Sequence, residues 1–285
     1  MYDNCIFLNK LSNFHINNNS IIIHGNPTFV TKLVHIYFSN NIKLQLLEKL
    51  SDKPLLIVSA TVLEIQPLLN IASSVEEKNN GLYSIKIGMN LIDLLITGVG
   101  IPSATYEIAS FFALNKVPFA IHIGIAGSYR KEIINGSIVM IVEEEFGELG
   151  IWQGSKFGNL FESGYSRPDR FPFTSGKLVN NTYKKTLLPD KLKKVKGLTI
   201  SCVTSDQETI KGRKEKYSAD IETMESAAFF YCCLKNGIPF LSLRGISNEA
   251  GVGDKSKWLV PESVQNVCET LIQILQKNNF FIHET

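Results

Sequence analysis

The stretch Gly237-Ile238-Pro239-Phe240-Leu241-Ser242-Leu243-Arg244-Gly245-Ile246-Ser247-Asn248-Glu249 decides the fold. Gly237 suits a left-handed helix C-cap, and Pro239 blocks any continuation of the helix before it. Ile238 to Ile246 then reads as a buried strand. Upstream, a helix is predicted from about Thr223, opened by Met224-Glu225-Ser226-Ala227-Ala228. A carboxylate at the head of that helix and a carboxamide at the end of the next strand both fall where an α/β sheet presents its ligands.

The same alternation reaches back to Pro54. Leu55 to Val58 reads as a buried strand, and Leu91 to Thr97 as another that runs into Gly98-Val99-Gly100. Pro102 opens a helix whose Ala104, Ile108, Phe111 and Phe112 recur at helical spacing. Phe119 to Ile123 is a further strand, expected to end in the turn Gly124-Ile125-Ala126-Gly127. Ser137 to Val142 and Leu198 to Thr204 continue the sheet, and residues 145 to 190, rich in Gly, Pro, Ser and aromatics, read as long loops. Val264, Val267, Cys268, Leu271 and Leu275 mark a closing amphipathic helix. The pattern predicts a single α/β domain over residues 51–285, with a central, twisted, mixed but largely parallel sheet flanked by helices on both faces.

Residues 1–50 stand apart. They are rich in asparagine, as in Asn17-Asn18-Asn19, and show helical periodicity only over Leu44 to Leu50. This extension reads either as an appendage or sequence upstream of the true start, or as a small dimer-forming or regulatory arm.

With 29 basic against 27 acidic side chains, the composition of the 285 residues is that of an ordinary soluble protein and calls for no nucleic-acid partner. The five cysteines, Cys5, Cys202, Cys232, Cys233 and Cys268, form no CxxC pair and have no histidine cluster beside them, so no disulfide framework and no metal site is expected. The apolar runs are too short to span a membrane and residues 1 to 20 lack a signal-peptide pattern, so a cytoplasmic protein with no membrane partner is expected.

The candidate chemistry sits at the strand ends. Glu64 follows the first strand among Val62, Leu63, Ile65 and Leu68, surroundings that partly desolvate a carboxylate and suit it to act as a general base. A glutamate in a first helical turn equally serves the helix dipole. Glu225 has the same two readings. Asn248 supplies one acceptor and two donors, so it can accept from a protonated purine N7 while donating to a 6-oxo group; an isolated Ser-Asn after a strand is otherwise a turn. The glycines around Gly100 and Gly127 let backbone approach a ligand, though neither segment is a GxGxxG or P-loop motif, so a nucleoside triphosphate is not expected.

Leu56-Ile57-Val58-Ser59-Ala60 with Glu64, Gly98-Val99-Gly100, Gly124-Ile125-Ala126-Gly127-Ser128, Met224-Glu225-Ser226-Ala227-Ala228 and Arg244-Gly245-Ile246-Ser247-Asn248 occur in an order and spacing that resemble the purine nucleoside phosphorylase and nucleosidase superfamily. The resemblance spans about Pro54 to Leu275. Within that superfamily the final Ser-Asn, where methylthioadenosine nucleosidases have Ser-Asp, and the stretch Phe146-Gly147-Glu148-Leu149-Gly150 are similar to the futalosine hydrolase branch. The resemblance implies a nucleoside phosphorylase-like fold and a small-molecule nucleoside substrate. It further implies a homo-oligomer, with no metal or organic cofactor.

Carried over by position, the resemblance makes Glu64 the water-activating carboxylate. Met224 and Glu225 become the pair that holds the ribose, and Asn248 the group on N7 and O6 of hypoxanthine. Gly100, Gly127, Gln207 and Glu208 fall where substrate is lined, Glu208 standing where adenine-releasing members carry an aromatic residue. No arginine occurs between Pro54 and Tyr129, and His122 and Ile125 stand where related phosphorylases place phosphate ligands, so water rather than phosphate is the expected nucleophile. The implied reaction is hydrolysis of futalosine to hypoxanthine and dehypoxanthine futalosine in an alternative menaquinone route. Arg130, Arg167, Arg170 and Arg213 are candidates for a cation facing the benzoate of that substrate. A methylthioadenosine or aminodeoxyfutalosine nucleosidase, a nucleoside phosphorylase and a non-catalytic nucleoside-binding protein are the alternatives.

Overall fold

Strand Leu55–Ser59 lies inside a ten-stranded mixed sheet, buried along nearly its whole length. The computed structural model describes residues 14–17, 20–23 and 54–277, the last span without 80, 89, 155 and 183–191. The chain divides into two units at Lys53/Pro54. In the first, β1 (Phe14–Asn17) and β2 (Ser20–Ile23) form an antiparallel hairpin. The periodic stretch Leu44 to Leu50 lies outside the described residues.

In the second unit β3 is Leu55–Ser59, followed by a 3-10 turn Leu63–Ile65 and the short helix α1 (Gln66–Ile71). The strands β4 (Ser74–Asn79), β5 (Leu82–Ile87) and β6 (Asn90–Ile96) come next, then α2 (Ile101–Leu114), β7 (Ala120–Ser128) and β8 (Ile138–Phe146). A separate hairpin, β9 (Gly150–Gln153) with β10 (Lys156–Asn159), precedes β11 (Leu178–Val179) and β12 (Lys193–Thr199). Helix α3 (Gln207–Tyr217), β13 (Ile221–Thr223), α4 (Ser226–Asn236), β14 (Phe240–Glu249) and α5 (Val260–Lys277) complete the unit.

Side chains alternate across the sheet, as the period of two requires. Leu56 and Val58 of β3 face a core shared with α2 and α4, including Ala104, Ile108, Phe229 and Phe230. Ile57, Ile121, Ile123, Leu241 and Leu243 face the other way onto α5, whose Val267, Cys268, Leu271 and Leu275 are buried. Each such aliphatic side chain contributes about 1.5–3 kcal/mol when fully buried. The helical face predicted for α2 is the buried one, and Gly237 caps α4 in the left-handed region at φ 64°.

The sheet is mixed, as expected, with a smaller parallel share than expected. Its pairings divide evenly: β12 with β8 and β13, β3 with β6 and β7, and β14 with β7 run parallel. The other five, β11 with β8, β13 with β7, β14 with β8, β4 with β5 and β5 with β6, are antiparallel. Because β14 bonds both β7 and β8, the strands β8, β12, β13, β7 and β14 close into a ring. β3, β6, β5 and β4 extend from it as an open wing.

Three boundaries also differ. Gly124 to Gly127 does not turn: β7 runs through it, since β14 pairs with it throughout and β13 joins at Gly127. Asn248 stays inside β14 because it pairs with Gly127. The strand placed at Leu198 to Thr204 lies earlier, at Lys193–Thr199, and the residues beyond it lead to α3, which Asp206 caps by accepting from the Thr209 N–H at 2.8 Å.

Candidate active site

Glu64 enters the interior from the 3-10 turn after β3 and is 7 % exposed. Its Oε2 accepts from the Thr61 N–H and hydroxyl, both at 3.1 Å, and from the Ser59 hydroxyl at 3.3 Å. Its Oε1 accepts from the Ile125 N–H of β7 at 3.1 Å. Four donors therefore hold this carboxylate in one orientation. The glycine before Ile125 is essential to the approach: a Cβ on Gly124 would stand 2.7 Å from Glu64 Oε1.

Glu225 is the N-cap position of α4, and its Oε1 accepts from the Gly100 N–H at 2.8 Å. The head of α2 and the head of α4 thus meet at one carboxylate. Burial raises the pKa of Glu225, the Gly100 hydrogen bond and Arg244 oppose the rise, and the nearby Glu64 charge adds to it. Met224, between β13 and α4, is half-buried.

Arg244 is a buried cation whose charge both carboxylates feel, and sequence reasoning gave it no role. It is 1 % exposed on β14. Nη1 donates to the Leu243 carbonyl at 2.8 Å; Nη2 reaches the Ser226 hydroxyl at 2.9 Å and lies against the His122 ring. Burial lowers its pKa, and the charges of Glu64, Glu225 and Glu144 counter this. His122 is held well below its ordinary value, first by burial and then by Arg244, so the imidazole is neutral. Glu144 of β8 is wholly buried, its Oε1 accepting from the Thr199 hydroxyl at 3.0 Å while Oε2 has no hydrogen-bond partner among the described residues.

Asn248 owes its position to a bulge. Strand β14 pairs with β7 in step up to Ile246↔Ala126, after which Asn248 rather than Ser247 faces Gly127. The extra residue re-aims the strand end, a device common beside active sites. The Ser247 hydroxyl donates to Asn248 Oδ1 at 2.7 Å, and Asn248 Nδ2 donates to the Glu249 carbonyl at 3.0 Å. Across Gly127 stands Glu222 of β13, whose Oε2 accepts from the Tyr129 hydroxyl at 2.5 Å. Glu222 was not among the sequence candidates. A glutamate in a three-residue strand otherwise made of Ile and Thr is the signal that could have found it.

Gln207 and Glu208 open α3 and are exposed. Gln207 Nε2 donates to the Ser205 carbonyl at 3.1 Å and lies 3.5 Å from the Gly251 carbonyl, just beyond β14. Of the four candidate arginines, Arg130 pairs with Asp220 at 3.1 Å, and Arg213, expected in a loop, lies on α3, is 9 % exposed and is taken up by Glu148 and Glu222. Arg167 and Arg170 are exposed. Among the described residues no helix is long and apolar enough to cross a membrane, and no cluster of His, Cys, Asp or Glu has the makings of a metal site.

The sequence and the fold are similar to those of known proteins. A curated futalosine hydrolase of Thermus thermophilus is 31 % identical over 184 residues, which cover 64 % of this chain and 80 % of that protein. A 5'-methylthioadenosine/S-adenosylhomocysteine nucleosidase of Buchnera aphidicola is 28 % identical over 204 residues, 68 % of this chain and 84 % of that protein. Among solved structures, the futalosine hydrolase of Helicobacter pylori superposes with a TM-score of 0.67 at 17 % identity, covering 79 % of this chain and 98 % of that one. The family model described as the phosphorylase superfamily matches residues 54–277, nearly the whole of the second unit, and on that match the chain belongs to the phosphorylase superfamily.

Proposed function

We propose that this protein hydrolyses the N-glycosidic bond of a 6-oxopurine nucleoside, with futalosine as substrate and hypoxanthine and dehypoxanthine futalosine as products. The observation that carries the reading is the placing of two buried glutamates by backbone donors, Glu64 by the Ile125 N–H and Glu225 by the Gly100 N–H, with Asn248 at the end of β14 opposite Gly127. In this reading the glycosidic bond lengthens first and leaves an oxocarbenium-like ribosyl centre. Glu64, already oriented by its four donors, takes the proton from an attacking water, a contribution of roughly 10²–10⁴-fold. Glu225, fixed by the Gly100 N–H, grips the ribose hydroxyls beside Met224. Asn248 accepts N7–H through Oδ1 and donates to O6 through the Nδ2 hydrogen that Glu249 does not use. Gly127 gives the base room, and Gln207 and Glu208 border it from the head of α3.

Water as the nucleophile is supported by the state of Arg244. Its hydrogen-bonding nitrogens are engaged by Leu243, His122 and Ser226, so it offers phosphate no free fork. The similarity to methylthioadenosine nucleosidases favours a second reading, release of adenine from a 6-amino nucleoside. Asn248 speaks for the 6-oxo substrate. A homo-oligomer and a cytoplasmic location accompany the proposal.

The test is a chromatographic assay with futalosine, inosine and methylthioadenosine, each with and without phosphate. Hypoxanthine from futalosine at a rate independent of phosphate is the expected result. Adenine release alone, or turnover only with phosphate, overturns it.

A further inference from the structure

Glu225 stands at the N-cap position of α4, yet its side chain caps nothing in that helix. An N-cap side chain ordinarily accepts from the second or third N–H of its own helix. Here the second N–H, that of Ala227, donates at 2.8 Å to the hydroxyl of Thr199, which reaches across from the end of β12 and is wholly buried. The Thr199 hydroxyl donates its own hydrogen to Glu144 Oε1 at 3.0 Å, and the Thr223 hydroxyl, 3.1 Å away, fills its remaining lone pair. One donor and two acceptor sites are all that a hydroxyl has, so Thr199 is fully engaged. Glu144 lies against it only because residue 197 is a glycine: a Cβ there would collide with Glu144 Oε2 across the pairing of β12 with β8. Relieved of capping its own helix, Glu225 accepts instead from the Gly100 N–H at the head of α2.

We propose that Thr199 is a positioning residue for Glu225: by capping α4 from another strand it frees that carboxylate for Gly100 and, a step that rests on the ribose-binding reading of Glu225, for the sugar hydroxyls of the substrate. Without the Thr199 oxygen the Ala227 N–H is a buried donor lacking its acceptor, a condition that folded chains avoid. By the usual capping rule the group that satisfies it is the side chain of the N-cap residue, Glu225 itself. Turned inward, that carboxylate lets go of Gly100 and leaves the ligand side. Glu144 serves the same end one step removed. It draws the Thr199 hydrogen to itself and so keeps the oxygen's lone pairs on Ala227 and Thr223. A cap needed for stability alone could come from the N-cap side chain; in the proposed reaction that side chain has other work.

The test joins amide hydrogen exchange to kinetics on Thr199→Val, which keeps the shape and loses the oxygen, and on Thr199→Ser, which keeps the oxygen. In Thr199→Val the Gly100 amide is expected to exchange roughly 10-fold faster relative to the core amides of α5, which report global stability. In Thr199→Ser that ratio stays as in the wild type. A cap that served stability alone would speed both sets of amides together. With inosine the valine variant is expected to lose at least ~10-fold in kcat/KM, and with 2'-deoxyinosine, which lacks one of the gripped hydroxyls, markedly less. Serine restores the wild-type ratio of the two substrates. Gly100 exchange that changes only in step with α5, or an equal loss on both substrates, overturns the proposal. Should Thr199→Val fail to fold, Thr199→Ala removes the same oxygen without a branched carbon against the Ala227 N–H and is judged by the same outcomes. Should the wild type turn over neither nucleoside, the exchange measurement alone decides whether Thr199 positions Glu225, while the catalytic reading stands or falls separately on futalosine.

Discussion

Gly124 and Glu64 meet so closely that the glycine's missing side chain and the carboxylate's position are one feature: a Cβ at 124 would lie 2.7 Å from Glu64 Oε1. Gly124→Ala must displace a group held by four donors. Misplacing a reacting group by about 1 Å costs on the order of 10²-fold in rate. Steady-state kinetics of Gly124→Ala are expected to show that loss in kcat, together with a stability loss of only about 1–3 kcal/mol from overpacking. Unchanged kcat would remove Glu64 from the catalytic role.

Glu144 makes stability depend on pH. Burial raises it from an ordinary 4.5 to about 8. Between those values the folded protein keeps a proton that the unfolded chain has released. Its contribution is therefore whole below pH 4.5 and lost as pH rises through about 8. The slope is at most ~1.4 kcal/mol per pH unit. Urea unfolding from pH 5 to 9 is expected to show declining stability in the wild type and a shallower decline in Glu144→Gln. Some slope remains in that variant, because Glu222 and Glu225 are also raised by burial.

Arg244 is the buried cation whose charge is felt by Glu64 and Glu225, so its removal leaves their charge less compensated. Arg244→Met is expected to cost about 3–5 kcal/mol at neutral pH. The double variant with Glu144→Gln is expected to show the same loss at neutral pH, since Glu144 already keeps its proton there. Denaturation midpoints of the two variants check this; a higher midpoint in the double variant would mean that Glu144 is ionised.

Asn248→Asp replaces the only donor on that side chain with a second acceptor. The Ser247 hydroxyl still has an oxygen to donate to, whereas the Glu249 carbonyl loses its partner. The ratio of adenine to hypoxanthine released from matched nucleosides is expected to shift toward adenine by at least ~10-fold. An unshifted ratio would place base selection elsewhere.

What was legible in the sequence was local. The cap at Gly237, the buried face of α2 and the approach of Glu64 and Glu225 to strand ends all follow from rules acting within a few residues. The rest depends on partners far along the chain. Gly124 to Gly127 has the composition of a turn, and it is extended only because β14 pairs with it throughout and β13 joins at Gly127. No local signal marks Ser247 as the extra residue of a bulge, since the bulge is defined against the register of β7. Helix α3 buries little beyond Ile210, Arg213 and Tyr217, too few positions to show a period. Arg244 looked like one more residue in an apolar strand, and its importance emerges only when Glu64, Glu144 and Glu225 arrive from three other elements.

The closed ring of strands gives the two halves of the site different mechanical characters. A hoop has no edge to fray, and sliding any one strand in it would require all five to move. Gly127 and Asn248 sit on the hoop, so on the proposed reading the slot for the base behaves as a gauge of fixed width. Glu64 hangs from β3, the first strand outside, and touches the hoop through Ile125 alone among its four donors. In the proposed function, selectivity would thus be set on the closed ring and water handled from the strand beside it.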